Sequence, residues 1–307
     1  MNDHLKKVIN CISDANKNGL LTESNGVLTG FSGESLVGML QRLANETLTE
    51  DTCYLEVGVF QGLTLLSSAL SSPKNSFFGI DNFAFFDKEG KNKKLIEERA
   101  KKLNIFNAHL INEDYEDALE NLHKYIGNKK VGVYFVDGPH DYRSQLMCLL
   151  LIQPYLADRA VIIIDDSNYR HVRQANRDFI VANPEFKLLY QSYTMAHPMN
   201  LKGEELTNAK KGWWNGVNIL YRDKNNELEP FYPVTTRDRS IFENEHSTHA
   251  SQYPELVYYL WKIIAGTYTF PLLRLLKKTK KEFRGKYRWG NTFSEGLPTN
   301  DYNGSIQ

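Results

Sequence analysis

From about residue 52 to residue 222 the chain alternates short apolar runs with longer stretches that mix apolar and polar positions. The runs are CYLEV (Cys53–Val57), SFFGID (Ser76–Asp81), AHLIN (Ala108–Asn112), VGVYFVD (Val131–Asp137), AVIIIDD (Ala160–Asp166), FKLLYQSY (Phe186–Tyr193) and GVNILYR (Gly216–Arg222). Most are almost continuously hydrophobic, as strands are when helices cover both faces of a parallel sheet. Between them, LIEERAKKLN (Leu95–Asn104) and YEDALENLHKYI (Tyr115–Ile126) read as helices, the second with Leu119, Leu122 and Ile126 at helical spacing. Such alternation predicts an α/β fold, a Rossmann-like doubly wound sheet of about seven strands, mostly parallel.

The rhythm breaks at both ends. Residues 1–50 read as a helix, a glycine-rich loop (GVLTGFSGES) and a second helix (ESLVGMLQRLANE), an N-terminal helical cap placed to cover the ligand edge of the sheet. Residues 51–222 are the Rossmann-like domain. Its last two strands are separated by residues 194–215, rich in Gly, Lys, Asn and Trp and without a clear helix period; such a loop is usually functional or mobile. Residues 223–290 form a helical, basic extension, and 291–307 a polar tail expected to be disordered.

Composition narrows the classes. Apolar residues are 41% of the 307, enough for a sizeable core without a metal or disulfide staple. Lys plus Arg and Asp plus Glu both number 37, which disfavours a nucleic-acid partner. Cys11, Cys53 and Cys148 have neither zinc nor disulfide spacing and read as unpaired residues, Cys53 and Cys148 as small buried hydrophobes. No signal-peptide core and no apolar run of about 18 residues is present, so a cytoplasmic protein is expected. From Trp261 to Gly290 nine basic residues face one acid, Glu282. Residues 255–290 could lie at an anionic membrane surface, or dock on the domain or on a second subunit of a homo-oligomer; Pro271, Lys262 and Arg274 exclude a clean span.

The chemistry gathers where strands end. CYLEV runs into Glu56-Val-Gly58-Val-Phe-Gln-Gly62 and the helix candidate LTLLSSAL. Gly58 allows a tight turn and a close ligand approach; Gly62 opens a helix whose amides can hold a carboxylate, and Glu56 could accept a hydrogen bond from an ammonium group. The next strand ends in Asp81, where a carboxylate binds ribose hydroxyls in nucleoside folds. ExGxxxG followed by a strand ending in Asp resembles the class I S-adenosylmethionine-dependent methyltransferases, and lacks the middle glycine of NAD enzymes. That resemblance implies that Glu56, Gly58 and Gly62 hold the methionine part and Asp81 the ribose. It also implies that Asp114, after the third strand, faces the adenine; a helix N-cap is the alternative at Asp114.

The fourth strand ends VDGPHDY, with Asp137, Gly138, His140, Asp141 and Tyr142; the fifth ends IIIDDSNY, with Asp165, Asp166 and Asn168. Neighbouring parallel strands bring these ends to one crevice, where three carboxylates repel unless a proton or a hard cation such as Mg²⁺ joins them. DGxHxY followed by IxxDD resembles the branch that includes the catechol-type, sugar and macrocin-type O-methyltransferases. The resemblance, over about residues 29–222, implies an O-methyltransferase with Mg²⁺ on Asp137, Asp165 and Asp166. Pro139 departs from that branch's DGDH, and residues 194–215 have no match in it. The alternative is that Asp165 and Asp166 cap the following turn while Asp137 orders its loop.

His140 beside this edge is a candidate general base toward a substrate hydroxyl, or a structural histidine that fixes its loop. Asp137 is placed with His140 as a catalytic residue and also borders the cofactor pocket. Trp213 and Trp214 could close over a sugar or an aromatic ring, or pack on the core. His171, His197, His246 and His249 lie in no motif. The function expected is methyl transfer to a hydroxyl of a small molecule, a sugar or other hydroxylated metabolite. The alternatives are a non-catalytic S-adenosylmethionine-binding protein and an NAD-dependent oxidoreductase.

Overall fold

The computed structural model describes residues 1–84, 86–87, 89–235 and 300–302. All seven apolar runs are strands: β1 (Thr52–Val57), β2 (Ser76–Ile80), β3 (Ala108–Ile111), β4 (Lys130–Val136), β5 (Leu156–Ile164), β6 (Phe186–Ser192) and β7 (Val217–Arg222). A short eighth, β8 (Asn300–Tyr302), pairs antiparallel with β6, inside the tail that composition assigned to disorder. The sheet order is β3-β2-β1-β4-β5-β7-β6-β8. β1 to β5 pair in parallel, and β7 runs antiparallel to both β5 and β6. The order reverses between β1 and β4, which is where an open α/β sheet leaves a crevice at its carboxyl edge.

The helices are α1 (Asp3–Asn18), α2 (Glu34–Thr47), α3 (Leu63–Ser71), α4 (Asn92–Lys102), α5 (Tyr115–Glu120), α6 (His123–Ile126), α7 (Tyr142–Leu151), α8 (Arg170–Ala182) and α9 (Gly203–Lys211). Adjacent strand positions face opposite layers. Tyr54, Val133, Phe135, Val161 and Ile163 pack with α1 to α4, through Leu5, Ile12, Leu36, Leu40, Leu65 and Ile96. Leu55, Val57, Tyr134, Val136, Ile162 and Ile164 pack with α5 to α8, through Leu119, Ile126, Cys148, Leu149, Val172 and Phe179. Cys11, Cys53 and Cys148 are all buried and unpaired, and burial pushes the thiols of Cys11 and Cys53 up to about 12.

Several elements differ from the sequence reading. α1 and α2 lie on a face of the sheet and share its core, so within residues 1–50 it is the loop before α2 that reaches the ligand edge. The 115–126 helix is two helices: Asn121 turns its amide onto the Asp117 carbonyl (3.0 Å), and Leu119, Leu122 and Ile126 stay buried across the break. The 194–215 segment contains α9, which has little apolar periodicity but carries Glu204 and Glu205 in its first turn and Lys210 and Lys211 in its last. That charge order complements the helix dipole and was the available signal. The extension at 236–290 and the basic segment 255–290 lie outside the described residues, as do His246 and His249.

Candidate active site

Backbone register sets the level of the site. Gly58 N donates to Ile80 O, Asp137 N to Val57 O and Asp165 N to Val136 O, so the residues that follow β1, β2, β4 and β5 emerge side by side. Gly58 has φ +91, and a Cβ there would lie 1.9 Å from the Asp137 carbonyl oxygen. The glycine is therefore demanded first by the neighbouring strand's backbone, not by a ligand. Gly62, at φ +81, is the N-cap of α3 and brings no side chain to it.

Glu56 is 0% exposed and faces inward. Tyr54 Oη donates to it at 2.7 Å and Thr64 Oγ1 at 3.2 Å, and the Leu65 amide of α3 bonds it as well. The positive end of α3 is thus occupied in part by the protein's own acid. Burial pushes the Glu56 carboxyl up to about 8, with the charge of Asp81 adding to it against those hydrogen bonds. The open contact to an ammonium group read from the sequence is not present. Asp81 accepts from the amides of Val59 (2.9 Å), Phe60 (2.8 Å) and Phe83 (2.7 Å), fixing the β1–α3 turn while staying partly exposed. Asp114 adopts the N-cap alternative, accepting from Glu116 N at 2.9 Å, with Asn82 reaching its other oxygen at 3.4 Å.

The β4–β5 edge is arranged differently. Asp166 sits at φ +53, a left-handed conformation that Asp tolerates better than most residues. That turn aims its carboxylate at His140: Nε2 lies 2.6 Å from Oδ2. Asn215, in the loop before β7, donates Nδ2 to the other oxygen at 2.6 Å. Asp165 accepts the Asp166 amide at 2.7 Å and stays near enough for its charge to act on Asp137. The group that converges is therefore Asp137, His140 and Asp166, with one donor atom of each within 4.8 Å of the others. The converging group thus differs from the Asp137, Asp165 and Asp166 set: the Asp165 carboxylate bonds its neighbour's amide, and the His140 imidazole stands in its place.

Burial raises the Asp137 carboxyl well above the carboxylate range, and the charges of Asp165, Asp166, Glu56 and Asp81 raise it further; its carboxylate takes no hydrogen bond among the described residues. Burial, then Asp166, raises Asp165 likewise. Burial would also raise Asp166, but the facing His140 and the amide of Asn215 outweigh it and hold it low. Desolvation of His140 is overcome by Asp166, so its imidazole holds a proton above the usual range. The upward shifts of Asp137, Asp165 and His140 and the downward shift of Asp166 are the directions expected where clustered acids and an imidazole share protons.

The rest of the DGPHDY motif builds the loop: Asp141 caps α7 through Ser144 N (3.0 Å), and Tyr142 Oη donates to Asp178 (2.8 Å). Tyr169 stacks on His140 with centroids 5.4 Å apart. The buried Arg173 guanidinium donates to the carbonyls of Ser167 (2.9 Å) and Asn168 (2.6 Å), and Asn168 Nδ2 to Thr194 Oγ1 (2.6 Å), tying the loop after β5 to that after β6. Asn215 and Arg173 carry no motif, whereas Tyr169 closes the IIIDDSNY run without having been singled out there. Trp213 packs on the core, 5.0 Å from Tyr190, and donates Nε1 to Asn16 at 2.6 Å. Trp214 is largely buried but lies 6.3 Å from the exposed Phe31.

Residues 55–167, from β1 to the turn that presents Asp166, match the family model described as a methyltransferase domain. A stretch of 136 residues, 43% of this chain, is 26% identical to an uncharacterized protein of Acanthamoeba polyphaga mimivirus. The chain spans 59% of the length of that curated relative. The solved O-methyltransferase of Bacillus cereus in complex with SAH is similar at 14% identity over 72% of this chain and 91% of its own, with a TM-score of 0.44. The O-methyltransferase of Streptomyces achromogenes involved in tomaymycin synthesis, in complex with SAM, is similar at 14% identity over 72% and 90%, with a TM-score of 0.43.

Proposed function

We propose that this chain, whose residues 55–167 are a methyltransferase domain, transfers a methyl group from S-adenosylmethionine to a hydroxyl of a small hydroxylated molecule. The observation that carries the reading is the Asn215–Asp166–His140 chain of hydrogen bonds at the crevice edge of that domain. When bound, the cofactor supplies a methyl on a sulfonium: the acceptor oxygen bonds the carbon as the C–S bond breaks, its electron pair staying on sulfur, and the hydroxyl proton is left to a base. His140 is that base when its imidazole is neutral, a form that the facing Asp166 shifts to higher pH. Asp166 orients its ring through Nε2 and stabilises the imidazolium that forms, and Asn215 holds Asp166 in place. Asp81 organises the β1–α3 turn and, with three amides already on its carboxylate, keeps one lone pair for a ribose hydroxyl. Gly62 leaves the start of α3 free of a capping side chain for the methionine carboxylate. The match to a methyltransferase model supports this reading over an NAD-dependent oxidoreductase.

A second reading comes from the same three residues. Asp137, His140 and Asp166 would hold a divalent ion, taken up in exchange for their protons, and it would act as a Lewis acid on the acceptor hydroxyl. An imidazole beside two carboxylates suits Mn²⁺ or Fe²⁺ as well as Mg²⁺. Among the described residues no helix is long and apolar enough to cross a membrane.

The test is calorimetric titration with S-adenosylmethionine and S-adenosylhomocysteine, followed by transfer of labelled methyl to a panel of hydroxylated acceptors with chelator or with added metal. Binding without transfer by any acceptor would favour the non-catalytic alternative, and no binding would end the proposal. Transfer that survives chelation supports His140 as base; transfer restored by metal supports it as ligand.

A further inference from the structure

Four of the exposed large apolar side chains stand on loops at the carboxyl edge of the sheet: Phe31 before α2, Phe86 after β2, and Met195 and Met199 after β6. Phe31 is 60% and Phe86 86% exposed. Phe31 stacks on Phe60 of the β1–α3 turn, with centroids 5.6 Å apart and planes at 24°, and Phe60 meets Phe86 edge-on at 6.3 Å. The pairing is held from beneath. The buried Arg99 guanidinium donates to Thr29 O (3.2 Å), Thr29 Oγ1 (2.7 Å) and Gln61 O (2.7 Å), which locks the loop that carries Phe31 to the turn that carries Phe60.

Short chains of contacts lead from these rings to the His140 site. Trp214, beside Phe31, directly precedes Asn215, which bonds Asp166. Phe60 follows Gly58, which abuts Asp137. On the other side Tyr169 stacks on His140 and lies 6.3 Å from His197, between Met195 and Met199 in sequence. A molecule that offers a hydroxyl to His140 therefore meets an apolar rim in both directions.

We propose that the acceptor is amphipathic: a polar head with one hydroxyl at His140, joined to an apolar body that covers Phe31, Phe60 and Phe86. This rests on the methyl-transfer reading and narrows it, because a free sugar would leave both exposed phenyl rings in water. The body is aryl or acyl, and the choice of probes separates the two.

The full chain is titrated with 2-naphthyl β-glucoside, octyl β-glucoside and glucose, with tryptophan fluorescence as the readout. Both glycosides, or one of them, are expected to bind where glucose at the same concentration does not; the tighter one identifies the body. Phe31→Ala and Phe86→Ala are each expected to weaken that binding about tenfold, or about 1.4 kcal/mol, as for a phenyl group that a ligand covers in part. Their exposure leaves the core untouched. Phe106→Ala, equally exposed at the opposite edge, is the control and leaves binding unchanged. Equal binding of glucose, or no effect of either rim substitution, overturns the proposal. So does a result in which the rim substitutions reduce only sedimentation with phosphatidylcholine vesicles, which would make the rim a membrane contact. Calorimetry with S-adenosylmethionine on the same proteins separates the two failures: cofactor binding without glycoside binding defeats this inference alone, and glycoside binding without cofactor binding defeats the methyl-transfer reading while the apolar site stands.

Discussion

The acids at the ends of β1 and β2 and those at the ends of β4 and β5 bring the same chemical group to the same sheet edge, yet their partners differ. Glu56 and Asp81 are satisfied from within, by Tyr54 and Thr64 and by the amides of Val59, Phe60 and Phe83. Asp137 takes no hydrogen bond among the described residues, and Asp166 is balanced by the titratable His140. The first pair builds the turn, whereas the second group is left able to exchange a proton or hold a cation. A carboxylate at a strand end is thus informative only together with what it already bonds.

The largest contrast is expected within the second group. Asp166→Asn should lower the rate of methyl transfer about 10²–10⁴-fold, the range for loss of general-base assistance, with little change in cofactor affinity. Asp165→Asn keeps an oxygen for the Asp166 amide and should cost less than about tenfold. Equal losses in a single-turnover assay would mean that the two acids act together, as the metal set read from the sequence required.

At the first pair the effects are on folding and binding. Gly58→Ala places a Cβ against the Asp137 carbonyl at a positive φ, and should destabilise the fold by more than about 2 kcal/mol, read from urea unfolding. An unchanged midpoint would show that β4 can yield there. Asp81→Asn loses the charge that gathers three amides, and should weaken S-adenosylmethionine binding about tenfold in calorimetry while the fold persists; unaltered affinity would separate the turn from the nucleoside.

A further effect is a pH dependence. Glu56 has a folded pKa near 8, above its unfolded value, so the native state binds more protons between these limits and stability falls as pH rises from about 4.5 to 8. Glu56→Gln should flatten that part of the melting-temperature profile, by roughly 2–4 °C per kcal/mol relieved. A profile of wild-type slope would assign the decline to Asp137 and Asp165.

The seven main strands, the turn glycines and the edge holding Asp81, Asp137 and Asp166 were legible in the chain, because continuous apolar runs and the residues that end them are local signals. α9 was not, since its helix is marked by charge order and not by apolar period. The roles of Glu56 and Asp165 were not either, because the side of a strand end that a carboxylate takes depends on the layers packed around it.

By itself the amino-acid sequence determined the doubly wound sheet and the crevice at its carboxyl edge, since burial on both faces and the spacing of strand ends follow from composition and periodicity. Only the tertiary structure decided that His140 and not Asp165 completes the group with Asp137 and Asp166, that Asn215 supports it, and that Phe31 meets Phe60. Each of these depends on residues far apart in the chain, and in the case of Asp166 on a left-handed backbone turn that no local pattern announces.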